Sequence, residues 1–110
     1  MIYEIASIPV RTDQIDAFKT AFGEVTHLLA RAKGYEGHLL TQGVETPSLF
    51  SLIVQWQTLE DHTQVFEPSE DHLVFMTGLQ AYFAAEPSVC HVRAAFPHQG
   101  MDLSAQEMIG

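Results

Sequence analysis

The sequence predicts an α+β fold with the element order βαββαβ, the ferredoxin-like arrangement in which two helices cover one face of a four-stranded antiparallel sheet. Its 110 residues, 46% of them hydrophobic, supply one domain with one modest core. Four segments have the composition of strands, and two have apolar residues at helical spacing. Glycine, proline and short polar stretches separate these segments. We expect the domain to span residues 1–96, and residues 97–110 to form a C-terminal tail or a dimer arm.

The first strand and the first helix follow from local patterns. Residues 2–10, IYEIASIPV, are rich in β-branched and apolar side chains, and their proline lies near the end, where a strand tolerates it. Residues 15–29 repeat apolar side chains at helical spacing along one stripe. Thr12 or Asp13 can cap this helix, and Gly34 is typical of a helix end.

Two strands and an interrupted helix come next. Residues 35–43, YEGHLLTQG, and residues 49–56, LFSLIVQW, predict strands two and three. Thr58 can cap the helix that follows, Pro68 interrupts it, and Ser69 restarts it. The second helix is therefore expected in two pieces.

The fourth strand is predicted in residues 88–96, SVCHVRAAF, because apolar and polar side chains alternate there after Pro87 has ended the helix. Beyond Phe96 the sequence has no strong period. This strand completes the βαββαβ order.

One face of the predicted sheet stays bare, because both helices pack on the other. Leu49 and Ile53 on strand three and Val89 on strand four would expose an apolar patch that monomers seldom tolerate. A second copy that packs sheet to sheet would cover this patch, so the sequence predicts a homodimer. The predicted interface residues are Leu49, Ser51, Ile53, Gln55, Val89, His91 and Arg93.

The charge balance excludes several classes of partner. Acidic residues outnumber basic ones 14 to 5, and the formal net charge of −9 repels nucleic acid and anionic lipid alike. No apolar run approaches the ~20 residues that cross a bilayer, and an early glutamate argues against a secretory signal. The lone Cys90 agrees with a reducing compartment. A cytoplasmic protein without a nucleic-acid or membrane partner is expected.

Several stretches together resemble the antibiotic biosynthesis monooxygenase (ABM) family. They are MIYEIASIPV at the start, RAKGYEGHLL after the first helix, LFSLIVQWQTLEDHTQVFEPSEDHLVF over residues 49–75, and YFAAEPSVCHV before the fourth strand's end. The resemblance covers roughly residues 1–95. It implies a dimeric α+β barrel in which each subunit keeps a pocket between its own sheet and helices. It also implies one of two chemistries, cofactor-free oxidation of phenols, quinols or anthrones, or haem degradation.

The two branches of the family differ in the residues that they require. Read without gaps from Trp56, the histidine ligand, the asparagine and the tryptophan of the haem branch fall at Phe75, Ser7 and Val65, so none of the three is retained. A gap around Pro68 would instead bring His72 nearer the position of the histidine ligand. The anthrone oxygenases have a tryptophan that matches Trp56 and a tyrosine where this chain has His62. The resemblance therefore implies cofactor-free chemistry and no bound cofactor.

Two further polar groups of the anthrone oxygenases are missing here. Their asparagine on strand three falls at Leu52, and their arginine in the second helix falls at Met76. The resemblance to the anthrone oxygenases therefore does not extend to these two polar positions.

Oxygen chemistry without a cofactor needs an electron-rich substrate, because ground-state O2 reacts sluggishly with closed-shell molecules. Deprotonating a phenol, quinol or anthrone makes it electron-rich, so the pocket needs a base with a pKa near neutrality. His62 is predicted as this base, since histidine titrates near about 6.5, with Trp56 and His72 as the other candidate catalytic groups. The predicted substrate-pocket residues are Ser7, Phe22, Leu52, Phe66, Phe75 and Met76.

Other enzyme classes lack their motifs. The sequence contains no HExxH, no paired cysteines and no carboxylate-rich loop, so no metal site is predicted. It also lacks GxSxG and the P-loop motif. The predicted function is a cofactor-independent monooxygenase that oxidises a small aromatic phenol, quinol or anthrone-like compound with O2. The alternative is a non-enzymatic dimeric barrel that binds a small hydrophobic molecule, and haem degradation has weaker support.

Overall fold

The computed structural model describes residues 1–97, and its elements follow the predicted order. Residues 98–110, nearly all of the predicted tail or arm, lie outside the described residues. The elements are β1 Ile2–Pro9, α1 Ile15–Ala30, β2 Tyr35–Gln42, β3 Leu49–Trp56, a π-helical turn Asp61–Phe66, α2 Glu70–Leu79, a 3-10 turn Gln80–Tyr82 and β4 Ser88–Val92. The four strands form one antiparallel sheet in the order β2-β3-β1-β4, with helices α1 and α2 on one face.

The core lies between the sheet and the helices. Strand β1 is central, and its alternate residues Glu4, Ala6 and Ile8 are buried beneath the helices. Phe18 of α1 packs its ring against that of Phe50 on β3, with 4.8 Å between ring centroids. Within residues 1–97, no helix is long and apolar enough to cross a membrane.

The helix boundaries confirm some of the predicted caps and correct others. Ser69 accepts a hydrogen bond from the His72 backbone N–H at 3.1 Å, as predicted for the start of α2. The Thr58 hydroxyl likewise accepts from the Asp61 N–H at 3.1 Å. The prediction that Thr12 or Asp13 caps α1 was wrong, because the helix begins at Ile15 behind a backbone turn and has no side-chain cap.

The fourth strand is shorter than predicted. It ends at Val92, which pairs with Tyr3 near the start of β1. Since β4 runs antiparallel to β1, at this point it is one residue from the end of β1, its only partner strand. Arg93 therefore lies beyond the sheet and is exposed, so strand alternation places it on neither face.

The face assignment of three predicted residues was wrong. Val89 pairs with Ala6 and His91 pairs with Glu4, so both face the helices and not the bare side. Ser7, predicted for the pocket, lies on the bare side of the sheet. Either set of alternating residues in β4 could face the core by composition, and only the register with β1 decides between them.

The bare side carries an apolar row that crosses all four strands. Leu39, Ile53, Ile5 and Cys90 are successive partners in this row. The other predicted interface residues of β3, Leu49, Ser51 and Gln55, lie on this same side. We call this surface, centred on Ile5 and Ile53, the outer sheet face.

Candidate functional site

A cavity of about 220 Å³ lies between the sheet and the helices, on the side of β1 that faces α2. Its walls are mostly apolar, and its polar groups come from β1, the π-helical turn, α2 and the segment before β4. The lining residues are Glu4, Ala6, Ile8, Leu29, Leu52, His62, Glu67, His72, Phe75, Met76, Leu79, Phe83, Glu86, Pro87 and Val89.

Glu4 is the buried acid of this cavity. It occupies an inward position of β1, and only 10% of its side chain is exposed. Its Oε1 accepts a hydrogen bond from the indole N–H of Trp56 at 3.0 Å. Burial raises the pKa of Glu4 to about 7; the Trp56 hydrogen bond opposes this shift, and the nearby charge of Glu67 adds to it. Glu4 therefore changes its charge near neutral pH.

His62 lies directly beside Glu4. Its Nε2 is 3.3 Å from Glu4 Oε1, and its ring stacks on Trp56 with 5.2 Å between centroids. Its Nδ1 is 2.8 Å from Nε2 of His91 on β4, so one of these nitrogens donates to the other. Burial, together with the charges of His91 and His72, lowers the pKa of His62 to about 4. The imidazole is consequently neutral at physiological pH.

These contacts place Glu4, His62 and His91 in one row that leads from the cavity towards the β4 edge of the sheet. A protonated Glu4 can donate to His62 Nε2 while His62 Nδ1 donates to His91. A neutral imidazole accepts a hydrogen bond at one nitrogen and donates one from the other. His62 can therefore take a proton from Glu4 at Nε2 and release one from Nδ1 to His91. β4 is the edge strand, so His91 stands at the outer end.

The π-helical turn that carries His62 is fixed by its neighbours. The buried carboxylate of Asp61 accepts from Lys33 at 2.7 Å, and the hydrogen bond from Lys33 is the largest cause that lowers the pKa of Asp61. Gly34 packs against this carboxylate with φ of +82°. The Glu67 N–H donates to the His62 carbonyl at 2.8 Å, the wide hydrogen bond of a π-helix. Such turns are rare in proteins, but those that do occur are frequently found at functional sites.

His72 of α2 forms part of the opposite wall. Its ring meets the edge of Phe66, with 5.3 Å between centroids. Burial lowers the pKa of His72, and the charge of Glu67 acts in the opposite direction. His72 thus adds a polar group to a wall that is otherwise made by Phe75 and Met76.

The structure brings together most, but not all, of the predicted site residues. His62, His72, Leu52, Phe75 and Met76 line the cavity. The other three, Trp56, Phe66 and Phe22, are buried but do not line the cavity. Trp56 contacts both Glu4 and His62 and so supports them from behind.

Sequence reasoning missed Glu4 and the role of His91 beside His62. The signal for Glu4 was present: in IYEIASIPV it has the same parity as Ala6 and Ile8, so an acid stands in an otherwise apolar inward row. For His91, the equivalent signal did not exist before the strand register was known.

Within residues 1–97, no three or more His, Cys, Asp or Glu side chains are grouped so that they could hold a metal ion. A carboxyl group near its pKa, an apolar cavity and a hydrogen-bonded histidine pair are suited to taking a proton from a small ring compound.

Comparison with known proteins assigns the family. The family model described as antibiotic biosynthesis monooxygenase matches residues 1–78. A Bordetella bronchiseptica structure assigned to these monooxygenases is 30% identical, with a TM-score of 0.83, covering 86% of this chain and 97% of that one. YczJ of Bacillus subtilis (strain 168) is 30% identical over 91 residues, which are 83% of this chain and 96% of YczJ.

A more distant structure shares the fold. A mutant of SnoaB, a cofactor-independent oxygenase from Streptomyces nogalater, superposes with a TM-score of 0.74 at 16% identity, covering 87% of this chain and 94% of that one. Together with the match over most of the βαββαβ domain, these findings show that the chain belongs to the antibiotic biosynthesis monooxygenase family.

Proposed function

We propose that this protein is a cofactor-independent monooxygenase that oxidises a small aromatic phenol, quinol or anthrone-like compound with O2. One observation carries this proposal: the apolar cavity contains a buried carboxyl group, Glu4, whose pKa of about 7 suits a base at neutral pH. Family membership supports the reaction class, and SnoaB provides a cofactor-independent precedent on the same fold.

The proposed reaction begins with proton transfer to Glu4. The ionised carboxylate takes a proton from the O–H or acidic C–H of the bound ring, which leaves an electron-rich anion. The anion gives one electron to O2, and the resulting radical pair combines to a peroxide. The peroxide forms at a carbon that carries hydrogen, either a ring C–H ortho or para to the ionised oxygen or the CH2 of an anthrone-like compound, and takes back the proton from Glu4. Loss of water from this hydroperoxide converts that carbon to a carbonyl, so that one oxygen atom enters the product and the other leaves as water.

Glu4 replaces His62 as the proposed base. A group with a pKa of about 4 holds a proton too weakly to take one from a phenol, whereas Glu4 titrates near neutrality. His62 is instead proposed to hold Glu4 in place and to pass its proton towards His91. Trp56 fixes the other side of Glu4 through its indole N–H.

The size of the cavity favours small substrates. An apolar cavity of about 150 Å³ already holds benzene, so about 220 Å³ accommodates a substituted single ring or a compact pair of rings. His72, with Phe75 and Met76, forms the wall that such a ring would contact. We therefore propose a quinol or phenol of this size ahead of a larger anthrone.

Oxygen uptake tests the proposal directly. Chelator-treated protein is incubated with hydroquinones, naphthols and anthrone under ¹⁸O2, while an oxygen electrode follows consumption and mass spectrometry follows the products. We expect consumption and one labelled oxygen atom in the product of at least one compound. Uptake without label in the product would show an oxidase, and no uptake with any compound would contradict the proposal.

The second candidate function is non-enzymatic binding of a small hydrophobic molecule. It is favoured by the largely apolar lining and by Leu52 and Met76, which stand where the anthrone oxygenases have polar groups. Binding of the same compounds, seen as quenching of the single Trp56, without any oxygen uptake would support this second function.

We further propose that the outer sheet face is the interface of a homodimer. Its row of Leu39, Ile53 and Ile5 is continuous across three strands, and an apolar surface of this kind is typical of a protein interface. Light scattering is expected to give twice the 12.3 kDa of one chain. Ile53→Glu should give monomers, whereas Val44→Glu, at a residue 88% exposed between β2 and β3, should not. A monomeric wild-type protein at micromolar concentration would refute the interface.

A further inference from the structure

The charges around the cavity are all of one sign. Glu4 lies at its base, while Glu67 and Glu86, both exposed, stand where the cavity meets solvent. The lining within residues 1–97 contains no lysine or arginine. Its two histidines, His62 and His72, both have lowered pKa values, so they do not balance these carboxylates at neutral pH.

The few cations of the chain are placed elsewhere. Arg31 is bound to Asp71 and Lys33 to Asp61, each at 2.7 Å. Arg11 lies exposed with its Nε 4.0 Å from Asp13, Lys19 lies exposed on α1, and Arg93 lies exposed beyond β4. The segment 98–110 contains neither lysine nor arginine in its sequence, and its one basic side chain is His98.

We propose that this cavity selects its ligands by charge, binding phenols that carry a protonated amine most tightly, uncharged phenols less tightly, and phenols that carry a carboxylate, sulfate or phosphate least. The inference rests on the proposed function only in taking this cavity as the substrate site. An anion entering the cavity loses water and meets carboxylates without a compensating cation, whereas an ammonium group gains Glu67 and Glu86 as partners. The cavity thereby narrows the proposed substrate class to neutral or amine-bearing rings.

Three phenols of nearly equal size test the charge order. They are tyramine, 4-ethylphenol and 4-hydroxyphenylacetate, which share one ring and differ in the charge of the two-carbon or acetate arm. Binding is measured by isothermal titration calorimetry at about pH 8, above the pKa of Glu4. We expect tyramine to bind at least about tenfold more tightly than 4-hydroxyphenylacetate, with 4-ethylphenol between them, because about 1.4 kcal/mol of electrostatic free energy corresponds to tenfold.

Two double variants distinguish the effect of the cavity's carboxylates on binding from the effect of the protein's overall negative charge. Glu67→Gln combined with Glu86→Gln should bring the three affinities to within about threefold of one another. A threefold range corresponds to a difference in binding free energy of about 0.65 kcal/mol. Glu24→Gln and Glu45→Gln together remove the same charge from exposed residues outside the lining and should leave the order unchanged. If the control narrows the range as much as the cavity variant does, the effect belongs to the net charge and the proposal fails.

Salt gives an independent check. If the binding preference came from the long-range field of the protein's net charge, it would disappear as NaCl is raised from about 0.05 to about 0.5 M. Charge contacts inside a desolvated cavity are screened much less. We expect most of the discrimination to persist. Equal affinities for the three phenols, tighter binding of the carboxylate, or no tyramine binding at millimolar concentration would each overturn the proposal.

This test does not depend on catalysis. The expected charge order without oxygen uptake would remove the monooxygenase proposal and leave charge selection intact. Oxygen uptake combined with equal binding of the three phenols would do the reverse.

Discussion

Glu4→Gln is expected to lower kcat by about 10²–10⁴-fold, the contribution typical of a positioned general base. Glutamine has nearly the same shape, and its carbonyl oxygen can still accept the Trp56 N–H that now bonds to Glu4. The variant therefore keeps the architecture of the site and loses the ability to take a proton. Steady-state oxygen consumption with the best substrate measures the effect, and Glu24→Gln, an exposed residue of α1, is the matched control.

The pH profile distinguishes a base from a structural support. For the wild-type protein, kcat/KM should rise with pH through about 7 and level off above it, because only the ionised Glu4 accepts a proton. The residual activity of Glu4→Gln should not show this rise. A variant that retains both the wild-type rate and the wild-type profile would exclude Glu4 as the base and return that role to another group.

The same substitution should change the pH dependence of stability. Because the folded-state pKa of Glu4 lies at about 7, above its ordinary value of 4.5, the stability that it contributes is complete below pH 4.5 and is lost as pH rises through about 7. The stability lost between pH 4.5 and a pH above 7 amounts to about 3 kcal/mol. Glutamine stays neutral, so urea unfolding should show the variant gaining stability relative to wild type as pH rises. A constant difference between pH 4.5 and 8 would show that Glu4 is not perturbed.

His62 contributes to stability with the opposite sign. Its folded-state pKa of about 4 lies below the ordinary value of 6.5, so its contribution is complete above pH 6.5 and is lost as pH falls through about 4. It is present in both wild type and Glu4→Gln, so comparing the two proteins isolates the Glu4 contribution.

Gly34→Ala is expected to lower the free energy of unfolding by roughly 2–4 kcal/mol. The φ of +82° at Gly34 disfavours any side chain, and a Cβ there would lie 2.1 Å from Oδ2 of Asp61. The carboxylate would have to move and weaken its contact with Lys33, on which the start of the π-helical turn depends. Chemical denaturation measures the loss.

Gly23→Ala provides the matched control for this prediction. Gly23 lies in α1, and a Cβ there meets nothing within 4 Å. This alanine should raise stability by about 0.5–1 kcal/mol through helix propensity. We also expect Gly34→Ala to impair the site, since His62 follows Asp61 directly. Equal stabilities of the two variants would show that the close approach of Gly34 to Asp61 has no energetic importance.

The elements that the sequence predicted well are those whose signals are local. Strand β3 was predicted at its observed bounds, Leu49–Trp56, because an unbroken run of apolar and β-branched residues ends there at a turn. Ser69 was predicted as a cap because the interaction spans only three residues. The boundaries of α1 and β4 differ from the prediction, because a backbone turn and the end of the partner strand set them.

The candidate site could be predicted only in part. His62, His72, Phe75 and Met76 follow β3 within one stretch of chain, and helical spacing was enough to group them. Glu4 and His91 come from opposite ends of the domain and meet His62 only through the pairing of β1 with β4. The sequence pattern does not encode that register.

By itself, therefore, the sequence determined the order of the elements and the face of each helix, since both depend on the periodicity of neighbouring residues. It also set the excess of acid over base, which is fixed by composition. Only the tertiary structure decided which acid titrates near neutrality. Burial beneath the helices raises the pKa of Glu4 and lowers that of His62, because the charged form of each loses its hydration. The unperturbed pKa values suggest His62 as the base, whereas the shifted values favour Glu4.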